Sequence, residues 1–140
     1  MEDQQARKQD LLKEIDLIQG IITRMANTSS LIKGWTITLI SIIFAYKSDT
    51  SAIDFIIIPI LTFWFLDAYF LQHERIYRQL YNWVIEHRLQ DDSYLFSLNP
   101  AQFNIHKQSI IRVMFSLTLG FFYGMTLFLT LIYLLPRLVL

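Results

Sequence analysis

The chain contains no cysteine, three prolines and four glycines in 140 residues, and only 17% of its residues are charged. Without cysteine there is no disulfide scaffold, no thiolate metal site and no thiol nucleophile. With so little glycine and proline, long stretches run uninterrupted: residues 2–26 hold only Gly20, and residues 72–89 hold neither type. Charge of one sign is also missing, since 12 Lys and Arg balance 12 Asp and Glu. That balance argues against an electrostatically driven nucleic-acid binder, and no sequence-specific nucleic-acid contact is expected. A soluble domain carries about 25% charged residues. This chain falls below that figure, with 54% hydrophobic residues and a mean hydropathy of +0.37, which points to a lipid bilayer.

The apolar residues are concentrated in three blocks. Val113 to Leu135 is uncharged for 23 residues, and about 20 apolar residues cross a ~30 Å hydrocarbon core. Phe55 to Leu66 is closed by Asp54 and Asp67, and extends to a span over 51–71. Gly34 to Tyr46 extends back to a span over 28–47 if Lys33 snorkels its ammonium to the interface. The polar link Lys47-Ser48-Asp49-Thr50 also allows the first two blocks to form a re-entrant hairpin. The first 30 residues hold no continuous apolar run of the kind a signal peptide needs. The third span is expected over 110–135, with Ser109 as its cap.

Lysine and arginine counts set the orientation. Arg7, Lys8, Lys13, Arg24, Lys33, Arg75, Arg78, Arg88, Lys107 and Arg112 lie on one side, and only Lys47 and Arg137 on the other. The expected topology is a cytoplasmic N-terminus, three spans and an outside C-terminus in the cell inner membrane.

Residues 2–26 predict a cytoplasmic amphipathic helix. Leu11, Ile15, Ile18, Ile22 and Met25 recur at spacings that build a helix-packing seam, leaving Lys13, Glu14, Asp16 and Gln19 on the polar face. A helix lying on the inner membrane surface is the alternative, although four basic against five acidic residues suit it poorly. The second span is expected to continue to about residue 89 as a cytoplasmic stalk, in total roughly 58 Å at 1.5 Å per residue. Along it, Ile76, Leu80, Trp83 and His87 form the matching seam, and Glu74 with Arg78 an i,i+4 pair. Residues 92–108, with Asn99-Pro100, read as a cytoplasmic turn segment. The fold class is therefore an all-α membrane protein with three transmembrane helices, an amphipathic N-terminal helix and a stalk.

Little of this sequence carries enzymatic chemistry. His73, His87 and His106 lack metal-ligand spacing, and there is no Gly-rich phosphate loop or nucleophile elbow, so no enzyme, metal or cofactor is expected. The informative polar group is Asp67, about a turn from the inner end of span two. A carboxylate there costs up to about 3 kcal/mol unless paired or solvated. One expectation is an inner-leaflet ion pair with Arg112, Arg75 or Arg24. The other is a ring of carboxylates around a shared aqueous path, with Thr38 and Ser41 of span one keeping the lumen wet. Small residues also fall on single helix faces: Gly34, Thr38, Ser41 and Ala45 on span one, and Ser116, Gly120 and Gly124 on span three. They permit close helix approach, within one chain or between copies. Three helices enclose too little space for a path, so transport requires an oligomer. A drug-type transporter would need a carboxylate nearer the midplane.

Two runs carry a resemblance. Arg24 to Trp35 reads R-M-A-x-x-S-x-x-x-K-G-W, and Phe63 to Tyr81 reads F-W-x-L-D-A-Y-F-L-x-x-E-R-x-x-R-x-L-Y, with Phe96-Ser-Leu-Asn99 beyond. This pattern, over about residues 15–100, resembles small prokaryotic membrane effectors of anti-phage defence systems, including the channel domain of the Hailong membrane effector. Lys33, Gly34, Trp35, Asp67, Tyr69, Glu74, Arg75 and Arg78 match it. The resemblance implies a homo-oligomeric, tetrameric channel or pore-forming effector that depolarises the membrane when triggered. In the Hailong arrangement a separate cytoplasmic domain senses a nucleotide-derived signal. These 140 residues are expected to leave no room for such a domain, and the partner is expected to be a cytoplasmic defence protein, a nucleotide-derived signal or a different trigger. The alternative function is a non-conducting membrane anchor that recruits a cytoplasmic partner.

Overall fold

A computed structural model describes residues 2–46, 52–90, 94–103 and 105–139. Every regular element among them is helical: α1 (Glu2–Tyr46), α2 (Ala52–His87), a 3₁₀ turn (Pro100–Phe103), α3 (Ile110–Met114) and α4 (Leu117–Val139). The Lys47–Thr50 link, on which the re-entrant alternative turns, and Asp91–Ser93 lie outside the described residues. The chain divides into two compact units, one of Met1–Asn27 with Leu71–Lys107 and one of Thr28–Phe70 with Gln108–Leu140.

α1 runs unbroken through residues 24–31, and the two units part along it at Asn27–Thr28. No glycine or proline interrupts that stretch. Ser29, which could have capped a new helix, instead directs its hydroxyl to Asp67.

In the first unit, Ile18, Leu80 and Val84 are fully buried and Phe103 nearly so. Leu11, Ile15, Ile22, Tyr77, Tyr81, Trp83, Leu98 and Ile105 pack around them. The α1 seam follows the expected spacing over Leu11–Ile22, with Ile18 buried and Leu11, Ile15 and Ile22 half-buried around it, while Met25, also half-buried, lies outside this cluster. On α2 the seam is rotated from the expected one: Leu80, Val84 and Arg88 are buried at intervals of four, Ile76 is half-buried and His87 is exposed. Arg88 is held inward by the buried Glu14, and the Phe103 ring packs at 4.6 Å from that of Trp83.

The segment that delivers Phe103 is tightly turned. Tyr94 and Phe96 adopt left-handed φ values of 59° and 58°, which cost a bulky L-residue of order 1 kcal/mol or more. The Ser97 amide donates to the Tyr94 carbonyl at 2.8 Å, and the Ala101 amide donates to Asn99 Oδ1 at 3.1 Å, opening the 3₁₀ turn.

In the second unit, α1 buries Ser29, Ile32, Thr36 and Ile40, α2 buries Ile56, Ile60, Asp67 and Ala68, and α3–α4 bury Val113, Leu119, Tyr123 and Thr130. The outer surface is apolar, with Trp35, Ile58, Phe121 and Phe128 all more than half exposed. Hydroxyls of Thr36, Thr62, Thr126 and Thr130 donate to carbonyls four residues back, which hides their polarity within each helix. Two helical stretches, Gln4–Tyr46 and Ile56–His87, are long and apolar enough to cross a membrane, and Leu117–Tyr133 is a shorter apolar helix.

The third expected span is divided. Helical bonding ends at Met114 and resumes at Leu117, with the Ser116 amide making a tighter bond to the Val113 carbonyl at 3.0 Å. Trp64 accounts for the break, because its indole Nε1 donates to the Met114 carbonyl at 2.9 Å and so satisfies an acceptor that a continuous helix would have used.

Candidate functional site: a buried carboxylate held by three helices

Asp67 has no exposed surface. Removing a carboxylate from water costs several kcal/mol unless a countercharge and hydrogen bonds replace its hydration. Both are present. Lys33 Nζ lies 2.7 Å from Oδ2, the Ser29 hydroxyl donates to Oδ1, and the Tyr123 hydroxyl approaches Oδ2 at 3.2 Å. Ser29 also accepts from Lys33 Nζ at 2.7 Å. The single Tyr123 hydroxyl proton is shared between Asp67 and the Phe63 carbonyl, also at 3.2 Å. One side chain from α2 thus gathers two from α1 and one from α4.

The helical repeat explains this convergence. Ser29 and Lys33 stand four residues apart on α1, so they share a face, and Asp67 stands four residues after Phe63, whose carbonyl marks the same face of α2. Trp64 extends the network: its ring stacks on Tyr123 at 5.8 Å and meets the edge of Phe115 at 5.3 Å, beside the α3–α4 break.

Two expectations for Asp67 require correction. Lys33 is its ion-pair partner, one that the sequence expectation did not include, and the Arg112 side chain is exposed. Lys33 turns its ammonium inward instead of snorkelling, because the buried carboxylate binds it more strongly than an interface would. Asp67 is also sealed from any lumen, so it does not stand with Thr38 and Ser41 as a lining group. Those two residues are exposed, and their hydroxyls donate to the Gly34 and Ile37 carbonyls at 2.9 and 2.8 Å. Thr38 lines a groove with Trp35 and Phe63, and Ser41 a groove with Thr126 and Tyr133.

The small residues also separate. On α1, Gly34, Thr38, Ser41 and Ala45 form an exposed stripe, and a methyl group at Gly34 would meet no heavy atom within 4 Å. On α4, a methyl at Gly120 would touch the Phe115 backbone at 3.7 Å, whereas Gly124 faces open space. Ser116 Oγ is buried at the break without a hydrogen-bond partner among the described residues.

The first unit has its own buried charges. Glu14 and Arg88 form a two-pronged pair, Nε to Oε2 and Nη2 to Oε1, each at 2.7 Å. The Arg88 guanidinium lies over the Trp83 and Phe103 rings at 5.3 and 5.8 Å. The sequence reading placed Glu14 on the polar face. The signal against that placement was its spacing, three residues after Leu11 and four before Ile18. The Glu74–Arg78 pair forms at 2.8 Å. Among the described residues no cluster of His, Asp or Glu could hold a metal. His87 Nδ1 lies 3.1 Å from the Trp83 carbonyl, and the His106 carbonyl accepts from Gln79.

Ser29, Tyr123 and Trp64 were not singled out by sequence reasoning. Ser29 was nonetheless legible, since it falls with Lys33 in the run R-M-A-x-x-S-x-x-x-K-G-W while Asp67 lies in F-W-x-L-D-A. Compared with protein-family models, curated proteins and solved structures, the chain finds no match.

Proposed function

We propose that this chain is the subunit of an oligomeric inner-membrane channel or pore-forming effector, without enzymatic activity, whose opening depolarises the membrane. The reading takes three membrane-crossing helices, a cytoplasmic N-terminus and an outside C-terminus, in keeping with the ten-to-two division of basic residues. Its assembly is a homotetramer and its setting anti-phage defence, both drawn from the resemblance.

The observation that carries it is the pattern of burial on α1. The charged groups Lys33 and Asp67 turn inward, while the stripe Gly34, Thr38, Ser41 and Ala45 faces away from the chain's own core. Only 22% and 28% of the most apolar windows of the two long helical stretches are buried, as suits faces that meet lipid or another copy. A small-residue stripe on such a face permits close approach of a second helix, and its hydroxyl oxygens retain lone pairs toward a shared axis. Light scattering in mild detergent tests this reading: a mass of several protomers supports it, and a stable monomer rejects it.

The second reading, a non-conducting anchor for a cytoplasmic partner, draws on the exposed Tyr94 and Phe96, held in left-handed conformations as binding loops often are.

A further inference from the structure

The polar network around Asp67 is observed in one arrangement, and its chemistry admits a second. In the observed one, Lys33 neutralises the carboxylate and Tyr123 divides its proton between Asp67 Oδ2 and the Phe63 carbonyl. Lys33 is the one member of the ion pair with exposure, 23% against none for Asp67. Its flexible stem can carry the ammonium out to the interface. The carboxylate then keeps the Ser29 donor, and the Tyr123 proton can turn wholly to it. The carboxylate keeps those two hydrogen bonds but loses its countercharge, so withdrawal of Lys33 is costly and the paired arrangement is the resting one.

Tyr123 connects this exchange to the helix break. Its ring stacks on Trp64, and the same indole holds the Met114 carbonyl where α3 ends. A shift of Tyr123 therefore bears on the contact that keeps α3 and α4 apart. Coupling of this kind needs an element with two states that both ends bias, and the Tyr123 hydroxyl, 3.2 Å from both acceptors, is able to donate to either.

We propose that Lys33 and Asp67 form a detachable latch between α1 and α2 that holds the channel closed, and that withdrawal of the Lys33 ammonium opens it through Tyr123 and Trp64. The proposal rests on the channel reading.

The natural absence of cysteine makes chemical rescue possible. Full-length wild type, Lys33→Cys and the charge-free double variant Lys33→Met/Asp67→Leu are placed in KCl-loaded vesicles, with efflux read by conductivity. A minor state is typically populated at roughly 0.1–10%, so losing the latch should raise efflux about tenfold or more. Aminoethyl methanethiosulfonate, which restores a cation at Lys33→Cys, should return efflux toward the wild-type rate. The neutral methyl reagent should leave it fast. Equal effects of the two reagents, or wild-type efflux from Lys33→Cys, would overturn the latch. If Lys33→Cys does not fold, the double variant decides, because a matched apolar pair removes the latch without stranding a charge: fast efflux supports the latch and wild-type efflux rejects it. Efflux no faster than from empty vesicles for every protein, the double variant included, would instead defeat the channel reading. A wild type that conducts, with variants no faster, would defeat the latch alone.

Discussion

Glu14 and Arg88, 74 residues apart in sequence, meet in a doubly hydrogen-bonded ion pair with side chains 0% and 2% exposed. The pair sits beside the apolar cluster of Ile18, Val84 and Phe103, and the aromatic rings under the guanidinium replace part of its hydration.

Removing one partner leaves a buried charge alone. Glu14→Gln or Arg88→Met should each lower stability by about 3–5 kcal/mol, whereas the double variant Glu14→Leu/Arg88→Met should fall near the wild type or above it. Denaturant unfolding followed by tryptophan fluorescence measures this. Single variants of wild-type stability would show that the pair is solvated in solution.

Trp64→Phe keeps most of the aromatic packing on Tyr123 and removes the donor to the Met114 carbonyl. A buried acceptor left unsatisfied costs about 1–3 kcal/mol. Thermal unfolding in detergent should register that loss, and amide hydrogen exchange should rise at residues 115–117 while the first unit is unaffected. Unchanged protection at the break would mean that the indole does not hold it.

These two sites show what was legible in the sequence and what was not. The apolar runs and the seam from Leu11 to Ile22 follow from periodicity alone, and so does the Glu74–Arg78 pair, because each depends on residues close in the chain. Lys33 with Asp67, and Glu14 with Arg88, depend on which faces of separate helices meet. Single-chain periodicity cannot rank Lys33 above Arg112 as a partner for Asp67. The face assignment of Glu14 was available from its spacing, and was hidden by treating every charge as solvated. The break at Phe115–Ser116 had no local signal, since neither glycine nor proline marks it and its cause, Trp64, lies 50 residues away.

Gly34→Leu adds bulk where the chain's own atoms leave open space. It should therefore spare the fold and block close approach of a second copy, lowering the assembly mass in detergent while leaving helicity and unfolding temperature near wild type. At Gly120 an added Cβ would lie in ordinary van der Waals contact with the Phe115 backbone at 3.7 Å, so Gly120→Ala should leave both the fold and the assembly mass near wild type. An assembly mass unchanged by Gly34→Leu would move the subunit interface away from this stripe.

Planar-bilayer recording of the purified protein decides whether this chain conducts. Discrete conductance steps are expected, with a rate of appearance that rises more steeply than linearly with protein concentration, as assembly of several copies requires. A protein that inserts stably yet never raises the conductance above that of lipid alone, in wild type and in the charge-free latch variant alike, would contradict the channel reading.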